Sequence, residues 1–513
     1  MNKYTRLFVL LCLTLGLFSC RKENPENQGG SGKAETYYIN MFAFNTMNIY
    51  YLWNEEIEAG LDNWKTNEPD PIAKVQEIRY KDSNGKDIDK WTVLTDDFES
   101  FSSSVAGIST TYGFDYMLAY GDEARKSVVG VVTLTYADSP ARKAGLKRGD
   151  IFVKVNGVSM TADNYAEVLT KQMIMSKECT LTLANGSTTT KMTAVNMYED
   201  PVLLSKVFDC GSKKVGYLFY NSFTQDSYKR LLEEFRALKD EGIKELILDL
   251  RYNGGGFVTT EYAIASILAP YKEVLNGSIF ETEVYNKIVG ASMDSKEVRF
   301  TTEFGYSSNG KSVSYSTEGY NLGIDKLYVI MTGSSASASE SLVTGLLPYM
   351  DIDIIGEQSY GKYCSGMILS GPDWFDFYKS ELTGEKPEGM GMSLEEFNKG
   401  KEDADNWGIY VMLSRYADKN GDTPCMPDGF VPDVKVQDVP YDGYQLGDPE
   451  ETMLSIALRR AGYRGVSGGA TKSSGSVMIQ KDLLPFEKQI HRTEFGKLII
   501  EPQSLPEGPI SLK

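Results

Sequence analysis

From Lys214 onward, short apolar runs alternate with stretches of helical period. VGYLFYNSF (215–223) reads as a strand. Tyr228, Leu231, Leu232, Phe235 and Leu238 then recur at the spacing of one helix face, with Gly242 as a stop. ELILDL (Glu245–Leu250) predicts a buried strand running into RYNGGG, after which VTTEYAIASIL resumes a helix. A polar, β-leaning stretch covers 276–320. KLYVIMTG (326–333) predicts the next strand, SSASASE opens a helix ending near Pro348, and DIDIIG (351–356) predicts another strand. Residues 371–405 read as an insertion rich in Gly, Glu and Asp. NWGIYVMLSRY (406–416) returns to strand, and DPEETMLSIALRRAGY closes the region as a helix. Strands alternating with helices predict a mainly parallel sheet, so the expected class is multidomain α/β with its core over 200–465.

Upstream the pattern changes. Residues 36–105 are aromatic-rich and predict a small N-terminal helical domain. Over 110–195, short β-rich runs are punctuated by Gly and Asp turns, which predicts a small β domain. Within it, SPARKAGLKRGDIFVKVNG resembles a PDZ domain of the bacterial protease type, in its Ser-Pro-Ala start, its Ala144-Gly145-Leu146 corner and its Gly149-Asp150 turn. Such a domain captures a peptide end by strand addition. Tyr112, Gly113, Phe114 and Asp115 stand where the carboxylate-holding loop is expected. The plainer alternative is a β domain serving only as a spacer.

The first twenty residues are an address. Lys3 and Arg6 precede an apolar run from Leu7 to Phe18, too short to span a bilayer comfortably. Leu17-Phe18-Ser19-Cys20 resembles a bacterial lipobox, which implies a signal peptide over 1–19 and lipidation of Cys20. An ordinary secretory signal is the alternative. Residues 20–35 read as a flexible tether and 466–513 as a loosely ordered tail. The expectation is an exported protein held to the bacterial cell envelope, periplasmic or outer-membrane side, with its membrane contact through the N-terminal lipid.

Composition narrows the chemistry. Of 513 residues, 53 are Lys or Arg and 71 Asp or Glu, giving a net charge of −18, which argues against nucleic acid as a partner. The single histidine, His491, lies in the tail and reads as incidental, which strains any Ser-His-Asp mechanism. Cys179, Cys210, Cys364 and Cys425 show no CxxC spacing, so they are either disulfide partners in an exported compartment or isolated thiols. Asp418, Asn420 and Asp422 alternate as in a calcium loop. The glycine stands at the wrong place and the closing Glu is missing, so a polar hairpin turn is expected. No metal and no organic cofactor is implied.

The remaining chemistry sits in GSSASASESLVTGLLPYMDIDIIGEQSYGKYCSGM. Small residues crowd the start of a helix directly after a buried strand, where a serine Oγ is sterically open and the helix N-terminus offers N–H groups. Lys362 follows Ser337 by 25 residues, past the helix and the next strand. Without a core histidine, the base for such a serine is a lysine neutralised by burial, or a carboxylate.

These residues resemble the C-terminal processing peptidases, or tail-specific proteases, which are Ser/Lys-dyad endopeptidases with an embedded PDZ domain and a ClpP/crotonase-like core. The resemblance covers about 110–460. It implies Ser337 as nucleophile and Lys362 as base. LDLRYNGGG resembles the family's DLRxNxGG segment, implying an oxyanion hole from the N–H of Ala338 with that of Gly255, or of Gly254 next. Glu340 either caps the helix or contacts the dyad. One departure stands out: many members carry a Gln four residues after the lysine, and here that position is Gly366. The implied function is an exported, lipid-anchored serine endopeptidase acting on proteins, their C-terminal tails or peptides. The alternative is a non-catalytic PDZ-containing peptide-binding lipoprotein. The oligomeric state is left open.

Overall fold

The computed structural model describes residues 36–293, 296–308, 311–381 and 393–465, together with 484–485 and 499–500. The signal segment, Cys20, the tether and His491 lie outside the described residues, as does most of the tail.

The core is built on a six-stranded sheet. Its strands are β1 (Val202–Asp209), β2 (Lys214–Tyr220), β3 (Glu245–Asp249), β4 (Lys326–Met331), β5 (Asp351–Gly356) and β8 (Val434–Lys435), in that spatial order. β1 and β2 pair antiparallel; β2, β3, β4, β5 and β8 run parallel. Successive side chains of a strand point to opposite faces, so a strand covered on both sides is apolar along its middle. β3 shows this: Leu246 and Leu248 join one core with Leu327, Val329 and Ile354, while Ile247 joins another with Tyr328 and Ile330. Helices α1 (Tyr228–Asp240), α2 (Val258–Leu268) and α3 (Ala338–Leu346) contribute to the first core, and α4 (Thr452–Arg460) packs into the second.

A second sheet of seven strands is mostly antiparallel. β6 (Cys364–Ser370) pairs with β7 (Gly408–Ala417), and β7 also pairs with Ile279–Tyr285 and with Val93–Thr95. β6 and β7 do not show the polar-apolar alternation that usually marks an antiparallel sheet, because β6 is buried throughout and β7 nearly so. The expected helical domain over 36–105 is helical in large part, but its apolar residues do not close on themselves. Tyr38, Phe42, Met47 and Tyr51 share one core with Trp374, Phe375, Phe397 and residues 409–413. The expected insertion over 371–405 supplies two helices, Gly371–Glu381 and Leu394–Asp403, to that same core.

The β domain carries Phe114–Tyr120, Val128–Thr135, Ile151–Val155 and Leu181–Leu183 around its own core. It is tied to the α/β core by charge. The buried Arg148 guanidinium donates to Tyr252 Oη (2.6 Å), Asp438 (2.8 Å) and Glu451 (3.2 Å). Arg251, fully buried, bonds Asp249, Glu451 and Asp438 in the same cluster. Two guanidiniums among three carboxylates offset one another's charge where a lone buried charge would be costly. The four cysteines named above are free thiols, three of them buried. Asp418 Oδ1 accepts the N–H groups of Asn420 and Asp422, so its segment is a turn closed by its own carboxylate.

Candidate active site

Ser337 stands between the end of β4 and the first residue of α3, with φ +66° and ψ −123°. A non-glycine residue in this region is strained, and such strain persists only where the surroundings enforce it. Here they do. Ser335 Oγ donates to Leu250 O (2.7 Å) and accepts Thr332 N–H (2.9 Å). Asn253 O accepts both Ala336 N–H (3.1 Å) and Ser339 Oγ (2.9 Å). The serines flanking Ser337 therefore fasten its turn to the loop after β3. Ser337 Oγ itself is enclosed and, among the described residues, has no hydrogen-bond partner. The sequence led us to expect an open Oγ; in this conformation it is sealed from solvent.

Glu340 does more than cap. Its Oε2 accepts Ser337 N–H (3.1 Å) and Lys362 N–H (2.8 Å), and its Oε1 accepts Gly361 N–H (2.7 Å) and the Ser359 hydroxyl. One fully buried carboxylate thus joins the serine turn to the lysine loop through their backbone N–H groups. Burial pushes its pKa up to about 7, against the pull of those four donors. Gly361 has φ +87°, and a Cβ there would lie 2.4 Å from Pro427 O, so the lysine loop requires glycine.

Lys362 is completely buried. Its Nζ donates to Tyr410 Oη (3.1 Å) and stands 5.5 Å from the Trp91 ring centroid and 5.2 Å from that of Tyr410. Burial pulls its pKa down to about 7, opposed by Cys364, Asp89 and Glu340. Lys362 Nζ and Ser337 Oγ are not hydrogen-bonded to each other. Trp91 and Tyr410 escaped the sequence reading. Val93 pairs with Tyr410, and Asp89 Oδ1 accepts the N–H groups of Trp91 and Thr92, so pairing across more than 300 residues creates this wall.

The loop after β3 places the expected oxyanion donors beside this turn. Gly255 N–H donates to Asn253 Oδ1 (2.9 Å). Among the described residues no acceptor takes the N–H of Gly254 or of Ala338. Of the expected peptide-binding loop, Tyr112 and Phe114 are buried in the β-domain core, and Gly113 N–H is held by Thr111 Oγ1 (2.8 Å). Asp115 accepts from Tyr136 Oη (3.3 Å). The strand following that loop, Phe114–Tyr120, takes Leu484–Pro485 as an antiparallel neighbour on its outer edge.

Residues 214–436 match the family model "Peptidase family S41". That stretch is similar to the S41 peptidases. Residues 131–174 match a PDZ domain. The "Carboxyl-terminal-processing protease" of Picosynechococcus sp. is 25% identical over 247 residues, covering 47% of this chain and 53% of that protein. The "Carboxy-terminal processing protease CtpB" of Bacillus subtilis is 24% identical over 236 residues, covering 45% and 44%. The chain spans about half the length of these curated relatives. A crystal structure assigned to the S41 proteases, from Bacteroides fragilis NCTC 9343, aligns with a TM-score of 0.61 at 19% identity over 86% of this chain and 99% of that one, a likeness of fold. The S41 match runs from β2 to the end of the six-stranded sheet and includes Ser337, Glu340 and Lys362.

Proposed function

We propose that this S41 protein is a serine endopeptidase in which Lys362 takes the proton of Ser337 Oγ as it attacks a peptide carbonyl. One observation carries the reading. A strained serine with an unbonded hydroxyl stands at a helix N-terminus, its backbone N–H tied through Glu340 to the backbone N–H of a lysine whose amine burial renders half neutral near pH 7. The tetrahedral oxyanion is held by Ala338 N–H and by Gly254 N–H, in preference to Gly255, whose N–H is already bonded. Water then hydrolyses the acyl-enzyme. Substrates are proteins or peptides, consistent with the PDZ match and with the processing proteases that the chain resembles. The protein is exported and anchored by lipid on Cys20, a reading supported by Lys3, Arg6, the apolar run and Leu17-Phe18-Ser19-Cys20.

Incubation with a fluorophosphonate probe, followed by peptide mapping, tests the reading. The expected adduct is on Ser337. A folded protein labelled nowhere, and unable to cleave casein, would instead support the peptide-binding lipoprotein. The missing hydrogen bond between Ser337 and Lys362 is the observation in favour of that second reading.

The PDZ module captures substrate by strand addition, a role supported by the outer edge of Phe114–Tyr120, which takes a strand of the chain itself. Deleting residues 110–195 is expected to slow processing of a long unfolded substrate at least about tenfold more than that of a short peptide. The ratio of the two losses is the readout, because losing Arg148 disturbs the loop at Arg251 equally for both substrates. Equal losses count against capture.

A further inference from the structure

The lysine sits in a chamber whose walls come from three distant parts of the chain. Lys362 leads into β6, Tyr410 lies on β7, and Trp91 precedes Val93–Thr95. In the pairing of β6 with β7, Ile368 stands opposite Tyr410 and Gly366 opposite Met412, so all four positions share one face of the sheet. Gly366 leaves that face bare. A Cβ built there would lie 2.5 and 2.6 Å from atoms of the Tyr410 ring and 2.6 Å from the Met412 methyl. The Tyr410 ring thus lies across the space a side chain at 366 would need, and its hydroxyl reaches Lys362 Nζ at 3.1 Å.

We propose that Tyr410 is the positioning residue for the Lys362 amine, orienting it through the hydroxyl while Gly366 leaves room for the ring. The pair stands in place of a side chain rising from position 366 itself. A tyrosine hydroxyl suits this task because it both accepts from an ammonium and donates to a neutral amine, so contact survives the change in protonation. The ring is 1% exposed and cannot drift into solvent. The ionisable groups facing the amine are Asp89 from the N-terminal segment, Glu340 from α3, Cys364 from β6 and Tyr410 itself. Trp91 adds an uncharged wall. Asp89 and Glu340 are held by other donors, Tyr51 Oη on the first and four groups on the second, so neither alone aims the amine.

This inference rests on the peptidase reading, and its test separates the two. The rate of fluorophosphonate labelling at Ser337 is measured from pH 5 to 10, with melting temperature alongside, for the wild type, Tyr410→Phe, Tyr410→Ala, Gly366→Gln and the double variant Gly366→Gln/Tyr410→Ala. Tyr410→Phe keeps the ring and removes only the hydroxyl. Its plateau rate is expected to fall about 10–100-fold, the scale of a misdirected general base. The midpoint of its acid limb moves to lower pH, because an oxygen accepting from the ammonium has been removed. Gly366→Gln alone is expected to lose rate and stability through the collision with Tyr410. The double variant, with space for the glutamine amide, is expected to label at least about tenfold faster than Tyr410→Ala. Wild-type rate and midpoint in Tyr410→Phe overturn the proposal. So does a loss equal at every pH that merely follows a lower melting temperature. A double variant no faster than Tyr410→Ala removes the role given to Gly366. A wild type with no adduct on Ser337 is a failure of the peptidase reading, and the inference goes with it.

Discussion

Ser337→Ala is expected to lower peptide hydrolysis by about 10⁴-fold or more while leaving the fold intact, because losing the nucleophile of a coupled pair removes nearly all covalent catalysis. The flanking serines should behave differently. Ser335 Oγ bonds Leu250 O and Thr332 N–H, and Ser339 Oγ bonds Asn253 O. Both are fully buried, and Ser335→Ala leaves Thr332 N–H unpaired at a cost of about 1–3 kcal/mol, while Leu250 O keeps Asn253 N–H. Asn253 O keeps Ala336 N–H as a second partner, which places Ser339→Ala at the low end. The expected result is two variants with lowered melting temperature and turnover within about tenfold of wild type. Turnover retained in Ser337→Ala and lost in Ser335→Ala would show that the serine register is wrong.

Legibility in the sequence followed the distance over which each feature is assembled. The parallel strands were readable because each is a short apolar run between turn signals, and β2 to β5 formed where the pattern placed them. The expected nearness of the Ser337 and Lys362 loops rested on adjacent parallel strands, and β4 and β5 are neighbours in one parallel sheet, with the loops after them at the same end. Glu340, three residues after Ser337, carries the spacing of a capping box, but its grip on the lysine loop depends on tertiary packing. The second sheet was missed as a sheet. Burial of nearly all of β7 erased the alternation that marks antiparallel strands, and its partners lie far away in sequence, at 93–95, 279–285 and 364–370. Trp91 and Tyr410 went unseen for that reason. Gly366 was the one sequence signal pointing to them, a bare position where the resembled family carries a side chain, and only the ring seated over it gives that glycine a meaning.

Lys362→Arg is expected to be inactive at every pH, whereas the wild-type rate climbs through about pH 7 and then levels off. The folded-state pKa of Lys362 is lowered to about 7 because burial disfavours the ammonium. Below that pH the amine holds a proton and cannot accept another from Ser337 Oγ; above it the neutral amine can. Guanidinium stays protonated throughout, so arginine supplies no base at any pH. The same shift has a consequence for stability, with a sign that can be checked. In the unfolded chain the lysine titrates near its ordinary value of 10.5. Between about pH 7 and 10.5 the unfolded state therefore binds more protons, and wild-type stability rises with pH across that window. Lys362→Met removes the buried amine. Its melting temperature is expected to exceed that of the wild type most below pH 7, with the gain shrinking towards pH 10. Activity lost and stability gained in one substitution is the signature of a group held at a cost for its chemistry. Hydrolysis and thermal unfolding measured across pH for the three proteins decide it. A substantially active Lys362→Arg would end the lysine-base mechanism and leave Glu340, itself raised to about 7, as the candidate base. A Lys362→Met variant less stable than wild type at pH 6 would show that the amine is held by favourable contacts and that its burial carries no penalty.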